Sequence, residues 1–278
     1  MRRKELTNLK SVKGMALAAI LAMAMCASAC SAGGTEAETD DVAQVSEDVT
    51  TGEDQEVADA ENDSEEQTAE EPQELNLAEA KVGDIITFGA YEQDGDESAK
   101  EPIEWKILAI SDNKALVISD KVLDVKKYNE EKTDVTWETC SLRTWLNNDF
   151  VAEAFDDDEK EQIAEVTVTT EDNAINGADG GNDTNDKLFL LSLEEVYEYY
   201  GTSFEVARKA APTAYAESNG VSGYDNGAYW WLRTPGSTSN QACIVNPGGN
   251  ADKMYYENVD GSLNQTYPGV RPAMWINF

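Results

Sequence analysis

Apolar and polar positions alternate along some stretches of the chain and recur at three- and four-residue spacing along others. Asp84 to Phe88 (D-I-I-T-F) alternates and stops at Gly89, which predicts a strand. Ile103 to Ile110 (I-E-W-K-I-L-A-I) sets Ile103, Trp105 and Ile107 on one face, and Ala115 to Ser119 returns after the polar turn at 111–113. That pattern predicts an antiparallel hairpin. Leu142, Trp145, Leu146 and Phe150 recur at helical spacing behind Thr139 or Ser141 as a cap, so a helix with a buried stripe is expected. Asp156 to Ile163 predicts a second short helix with acids in its first turn, and Glu165 to Thr169 a further strand. Lys187 to Leu191 is an apolar strand. Ser192 and Glu195 then form a capping box that opens a helix carrying Val196, Tyr199 and Tyr200. The last eighty residues read as short strands and long loops, clearest as strands at 230–233, 243–246 and 270–277. Helices with mostly antiparallel strands define an α+β class.

The first thirty residues follow a different pattern. Arg2, Arg3, Lys4, Lys10 and Lys13 precede an uncharged apolar run from Gly14 to Met25. That run is too short to span a bilayer and suits the core of an export signal. Ala27, Ser28 and Ala29 before Cys30 resemble a bacterial lipobox, although that signal usually carries Leu where Ala27 stands. An ordinary signal-peptidase site would also be cut after Ala29, and an uncleaved anchor would leave the domain outside as well. We expect cleavage with lipidation of Cys30, hence membrane attachment on the extracellular side. The expected organisation is a lipoprotein signal peptide (1–29), an acidic stalk (30–78) and a globular domain (79–278).

Charge sharpens this division. Ser31 to Ala80 holds eighteen acids and no base, and Lys81 to Phe278 holds thirty-six acids and sixteen bases. A segment of one charge sign with few apolar residues does not recover its ordering entropy, so the stalk is expected to be disordered and extended. Fully extended, its roughly 45 residues reach about 150 Å. Phosphate backbones repel such a chain, which excludes nucleic acid as a partner. Histidine is absent, so His-based triads and most zinc sites are excluded too.

Several residues stand out as candidates. Cys140 and Cys243 are the two cysteines of the globular part and are a candidate disulfide if the chain is exported, Cys140 being alternatively a small buried hydrophobe. Arg233 and Arg271 fall in apolar segments, where a guanidinium either recognises a carboxylate or phosphate or makes a structural ion pair. Trp230, Trp231 and Trp275 are either a sugar-stacking platform or core. Tyr255, Tyr256, Asn258 and Asp260, with Glu257 among them, lie between Gly-rich turns and suit adaptable recognition from loops. The polar loop from Glu171 to Asp186 offers oxygen ligands, but its spacing is not that of an EF-hand, so Ca²⁺ is only weakly suggested and no other cofactor is expected.

Seven segments together resemble one family. They are V-G-D-I-I-T-F-G at 82–89, E-P-I-E-W-K-I-L at 101–108, T-W-E-T-C-S-L-R-T-W-L-N at 136–147, K-L-F-L-L-S at 187–192, P-T-A-Y-A at 212–216, W-W-L-R-T-P-G at 230–236 and G-V-R-P-A-M-W-I at 269–276. The resemblance is to the domain of unknown function 6273 family of bacterial surface and secreted proteins, and it covers about Ala80 to Phe278. The closing pattern, W-W-L-R followed by V-R-P-A-M-W-I, is similar to the end of C-type-lectin-like domains. That similarity implies a C-type-lectin-like fold with short antiparallel strands, a few helices and long C-terminal loops. The calcium-site triplets of sugar-binding lectins are missing, since Ile103 follows Glu101-Pro102 and Ile276 follows Trp275. The cysteine pair that would hold copper in formylglycine-generating relatives is missing as well, because Cys243 is the only C-terminal cysteine. The expected function is a tethered extracellular binding module for a glycan, peptide or protein, through Tyr255, Tyr256, Asn258, Asp260 and Arg233. A secreted enzyme (a carboxylate-based glycan hydrolase or a formylglycine-generating-like oxidase) and a passive wall spacer are the alternatives.

Overall fold

The computed structural model describes residues 79–96, 98–203, 205–263 and 266–277. The expected signal peptide, Cys30 and the acidic stalk lie outside the described residues. Among those described, no helix is long and apolar enough to cross a membrane.

Three antiparallel strands open the domain: β1 (Ile85–Tyr91), β2 (Glu101–Ser111) and β3 (Lys114–Ser119). Asp112 and Asn113 both take positive φ (50° and 61°), the geometry a two-residue hairpin turn needs and Asn and Asp tolerate. β1 does not end at Gly89. It bulges there, with Gly89 at φ 70°, and resumes pairing at Ala90. A side chain at Gly89 would meet the Phe155 ring at 2.5 Å, so glycine also lets that ring pack on the strand.

After the short β4 (Asp124–Val125) comes one continuous helical stretch. It runs through α1 (Ser141–Trp145), a π-helical turn (Leu146–Phe150) and α2 (Val151–Ala154). Its cap is neither Thr139 nor Ser141 but Cys140, whose Sγ accepts from the Arg143 amide at 3.4 Å. α3 (Asp157–Gln162) is opened by Asp156 in a capping box with Glu159. β5 (Ile163–Ala164), β6 (Val166–Val168), β7 (Thr184–Asp186) and β8 (Leu188–Phe189) lead to α4 (Leu193–Tyr200), which has the expected Ser192–Glu195 capping box. Two short helices follow, α5 (Glu205–Arg208) and α6 (Ala214–Ser218), then β9 (Gly223–Tyr224) and β10 (Gly227–Ala228). The chain finishes with β11 (Trp230–Pro235), β12 (Gln241–Val245), β13 (Ala251–Asn258), β14 (Gly269–Val270) and β15 (Ala273–Asn277).

Strands outweigh helices, and nearly all pairings are antiparallel. One sheet has the order β1-β2-β3-β15-β5, with β8 also on β15; the other has β13-β12-β11-β14-β4. The single strand expected over 270–277 is two strands in two sheets. Pro272 divides them, because it lacks an N–H for a ladder, and its carbonyl accepts from Ser119 N at 3.0 Å. The closing segment therefore stitches the sheets together. β11 lies inside the second sheet and is buried on both faces, so Trp230 and Trp231 are both fully buried although they point opposite ways. Those two are core, and with them goes the sugar-stacking platform, since only Trp275 is partly exposed.

Candidate ligand-binding face

Arg233 is not offered to a ligand. It is 4% exposed, its Nη1 and Nη2 grip both oxygens of Glu195 (Nη2 to Oε1 at 2.8 Å), and it donates to the carbonyls of Leu190 (2.7 Å) and Thr169 (2.9 Å). The structural ion pair is the correct reading, because a buried guanidinium has to meet its acceptors inside the protein. Arg271 is equally buried.

Cys140 and Cys243 are free thiols and form no disulfide. Each is engaged elsewhere. Cys140 caps α1 and donates to Trp137 O at 3.4 Å, and Cys243 donates to Pro235 O at 3.4 Å. Burial pushes both thiols up to about 12.

The segment carrying Tyr255, Tyr256 and Asn258 is not a loop. It is β13, an edge strand whose register with β12 shifts between Ala251 and Tyr256, so its middle is open to solvent and its end is buried. Tyr255 is 44% exposed beside Met254 at 73%, Tyr256 is half-buried, and Asn258 is buried, donating to Ser262 Oγ at 3.1 Å and accepting from Gln241 at 3.3 Å. Asp260 follows in the turn and accepts from the Ser262 hydroxyl at 2.7 Å. Burial pushes its carboxyl up slightly, and the Ser262 hydrogen bonds outweigh this and hold it below its usual range. Asn258 and Asp260 thus build the turn after β13, and of the expected set Tyr255 is the residue presented to solvent.

Tyr255 has neighbours that its sequence position does not suggest. Tyr224 and Tyr229 make an edge-to-face pair with centroids 6.4 Å apart. The Tyr229 phenol is raised by burial first and then by Tyr224 and Tyr255. Tyr224 sits on the β9–β10 hairpin, whose turn residues Asp225 and Asn226 both have positive φ (50° and 57°). That hairpin packs tightly on the β12–β13 connection: a side chain at Gly227 would meet Pro247 O at 2.2 Å. In that connection the Asn246 side chain accepts from both Gly248 N and Asn250 N at 2.9 Å, holding the turn closed. Two stretches of the chain, the β9–β10 hairpin and the connection that leads into β13, therefore converge beside Tyr224 (49% exposed) and Tyr255. Such rings combine large apolar area with a polar tip at little cost in rotamer entropy.

A polar hollow of about 370 Å³ is lined by Asp134, Glu138, Asp179 and Asn182; another of about 480 Å³, of mixed lining, lies beside Lys126, which stands 5.0 Å over the Trp145 ring. Within the 171–186 loop, Asp172 accepts from Gly180 N and Asp179 from Gly181 N, while Asn173 and Asn176 tie the loop to Gly236. Asp172 and Asp179 thus brace the loop's own turns, while Asp186 accepts from Trp137 (2.9 Å) and Arg143 (2.6 Å). Among the described residues the carboxylates close enough to share a cation are Glu92, Asp94 and Glu101, outside that loop. Each of these accepts a nearby backbone N–H, from Gly95, Asp96 and Gln93 respectively.

The fold and this face define a mixed, strand-dominated domain that presents tyrosines from converging connections. The family model for a domain of unknown function, DUF6273, matches residues 112–278, and the chain belongs to that family. Comparison with curated proteins and with solved structures gives no match. The matched stretch begins inside the β2–β3 turn, yet β1 and β2 belong to the same sheet as β3 and β15.

Proposed function

We propose that the chain is a lipid-anchored extracellular binding module, attached to the bacterial membrane through Cys30 and taking a glycan, peptide or protein ligand on the Tyr224–Tyr229–Tyr255 face. The observation that carries this reading is the edge-to-face Tyr224–Tyr229 pair packed against the connection that leads to Tyr255, with Tyr224 and Tyr255 left open to solvent. Exposed aromatic groups on a braced scaffold are the usual make-up of a recognition surface. The acidic composition of 31–80 supports it, because a stretch of one charge sign suits a spacer. The C-type-lectin-like fold belongs to the same proposal. Its support is that W-W-L-R forms the inner strand β11, and V-R-P-A-M-W-I supplies β14 and β15, with the long connections between them.

The test uses cells that express the full chain. Purified cell-wall fragments, a glycan array and neighbouring-cell lysates are offered to detergent-solubilised protein, with and without Ca²⁺. Specific retention is expected, and Y255A and Y224A should lower it about tenfold, the loss of about 1.4 kcal/mol, without moving the melting midpoint. Retention that both variants leave intact removes this face as the site. In the same cells C30S should shed the protein into the medium; if C30S stays with the membrane fraction, the lipid anchor is wrong.

A further inference from the structure

Two arginines are buried without a counter-charge among the described residues. Arg208, at the end of α5, is 1% exposed and makes no hydrogen bond or ion pair with any described residue; its Nε and Nη1 are fully buried. Arg271 is 2% exposed and donates to the carbonyls of Ser119 (2.8 Å) and Asp120 (3.4 Å), while its Nη1 has no acceptor there. The indole N–H of Trp230 and the Tyr200 hydroxyl are also buried without partners. An unpaired buried ion and an orphaned buried donor are both costly, so each calls for a partner. In a domain with thirty-six acids these two cations still meet no described carboxylate.

The segments that carry the orphaned groups are tied to one another. The Arg271 guanidinium lies 5.0 Å from the Trp230 ring centre. Ala228 N donates to Ala210 O at 2.9 Å, which ties the residues just after Arg208 to those just before Trp230. Val122 N donates to Ala211 O, and Leu123 N to Val270 O, each at 2.9 Å, which ties the same segment to the residue before Arg271. The Arg208 guanidinium stands 5.9 Å over the Tyr197 ring, three residues before Tyr200 on α4. Tyr200 and Ala207, the neighbour of Arg208, line a pocket of about 240 Å³ together with Lys106, whose Nζ lies 5.9 Å from the Tyr200 ring.

We propose that Arg208 and Arg271 hold an oxyanion that enters through the Lys106–Tyr200 pocket, with the Trp230 indole and the Tyr200 hydroxyl as further donors. Guanidinium groups suit the geometry of sulfate, phosphate and carboxylate oxygens. Two of them with a lysine at the entrance favour a doubly charged group, sulfate or a phosphate, over a single carboxylate. This site is separate from the tyrosine face and stands or falls independently of it.

The test is equilibrium dialysis of the full chain in non-ionic detergent against labelled sulfate, inorganic phosphate and acetate, with ionic strength held constant by sodium chloride. Saturable uptake of one sulfate or phosphate per chain is expected, with acetate weaker, and R208M and R271M should weaken uptake about tenfold or more. Thermal midpoints give a second reading. The wild type should gain with added anion and R208M should not, beyond the general effect of sulfate that both share. Without anion, R208M should melt no lower than the wild type, because it removes an uncompensated charge. R208K, which keeps the charge and loses the planar fork, serves if R208M does not fold. No saturable uptake by the wild type, or equal uptake by these variants, overturns the proposal.

Discussion

The Glu195 carboxylate has two duties. Its Oε2 closes the capping box of α4 by accepting from Ser192 N at 2.8 Å, and both its oxygens receive the buried Arg233 guanidinium. E195Q keeps an acceptor for the cap and loses the charge, so it should cost about 1.5–3 kcal/mol, the worth of a hydrogen bond to a charged group. E195A leaves Arg233 buried and unpaired and should cost about 3–5 kcal/mol. Urea unfolding midpoints with unchanged slope measure both, and an E195Q midpoint equal to that of the wild type would mean that the ion pair contributes nothing. The buried thiols give a pH effect of definite sign. Cys140 and Cys243 are raised by burial from 9.0 to about 12, so between those values the unfolded chain binds fewer protons than the folded one. Their contribution is fully present below pH 9 and is lost as pH rises toward 12, and a thiol reagent at pH 8 should label neither residue until the domain unfolds. Labelling of the folded domain at that pH contradicts this burial. At this scale the sequence was ambiguous for a physical reason: an arginine in an apolar strand looks the same whether its acceptor is Glu195 or a ligand.

Elements were legible where a single rule governed them. The β2–β3 hairpin is marked by alternation and by Asp112-Asn113, and α4 by Ser192 and Glu195, and both stand where the pattern puts them. β13 was not legible. Its sequence, A-D-K-M-Y-Y-E-N, does not alternate between apolar and polar, because its register with β12 breaks between Ala251 and Tyr256, so the period of two is lost there. Reading it as loop made Tyr255, Tyr256 and Asn258 equivalent, whereas Tyr255 lies in the irregular stretch and is exposed, and Asn258 lies in the paired end and is buried. The break at Pro272 was open to inspection, since proline seldom sits inside a central strand. The hydrophobic run on either side hid it. Tyr224 and Tyr229 could not have been grouped with Tyr255 from local pattern, because their meeting depends on Gly227 packing against Pro247, a long-range contact.

At the scale of the whole molecule, the family match and the folding unit have different boundaries. The match starts at residue 112, but Ile103, Trp105 and Ile107 of β2 are fully buried. The Trp105 indole donates to Phe88 O at 2.7 Å, and its ring lies 6.2 Å from that of Phe155 in the helical layer. β3 would become an open edge without β2, and such an edge invites pairing with other chains. Removing one large buried side chain costs about 2–5 kcal/mol, against a total stability of about 5–15 kcal/mol for a domain. Losing these three residues from β2, together with Phe88 and Tyr91 from β1, costs about 10 kcal/mol even at the lower figure, as much as a typical domain holds. A chain of residues 79–278 should therefore melt in one cooperative transition, and a chain of residues 112–278 should be unfolded or aggregated under the same conditions. Circular dichroism melts and size-exclusion profiles of the two distinguish the cases. If the shorter chain melts cooperatively as a monomer, β1 and β2 are an appendage, and the core is complete without Trp105.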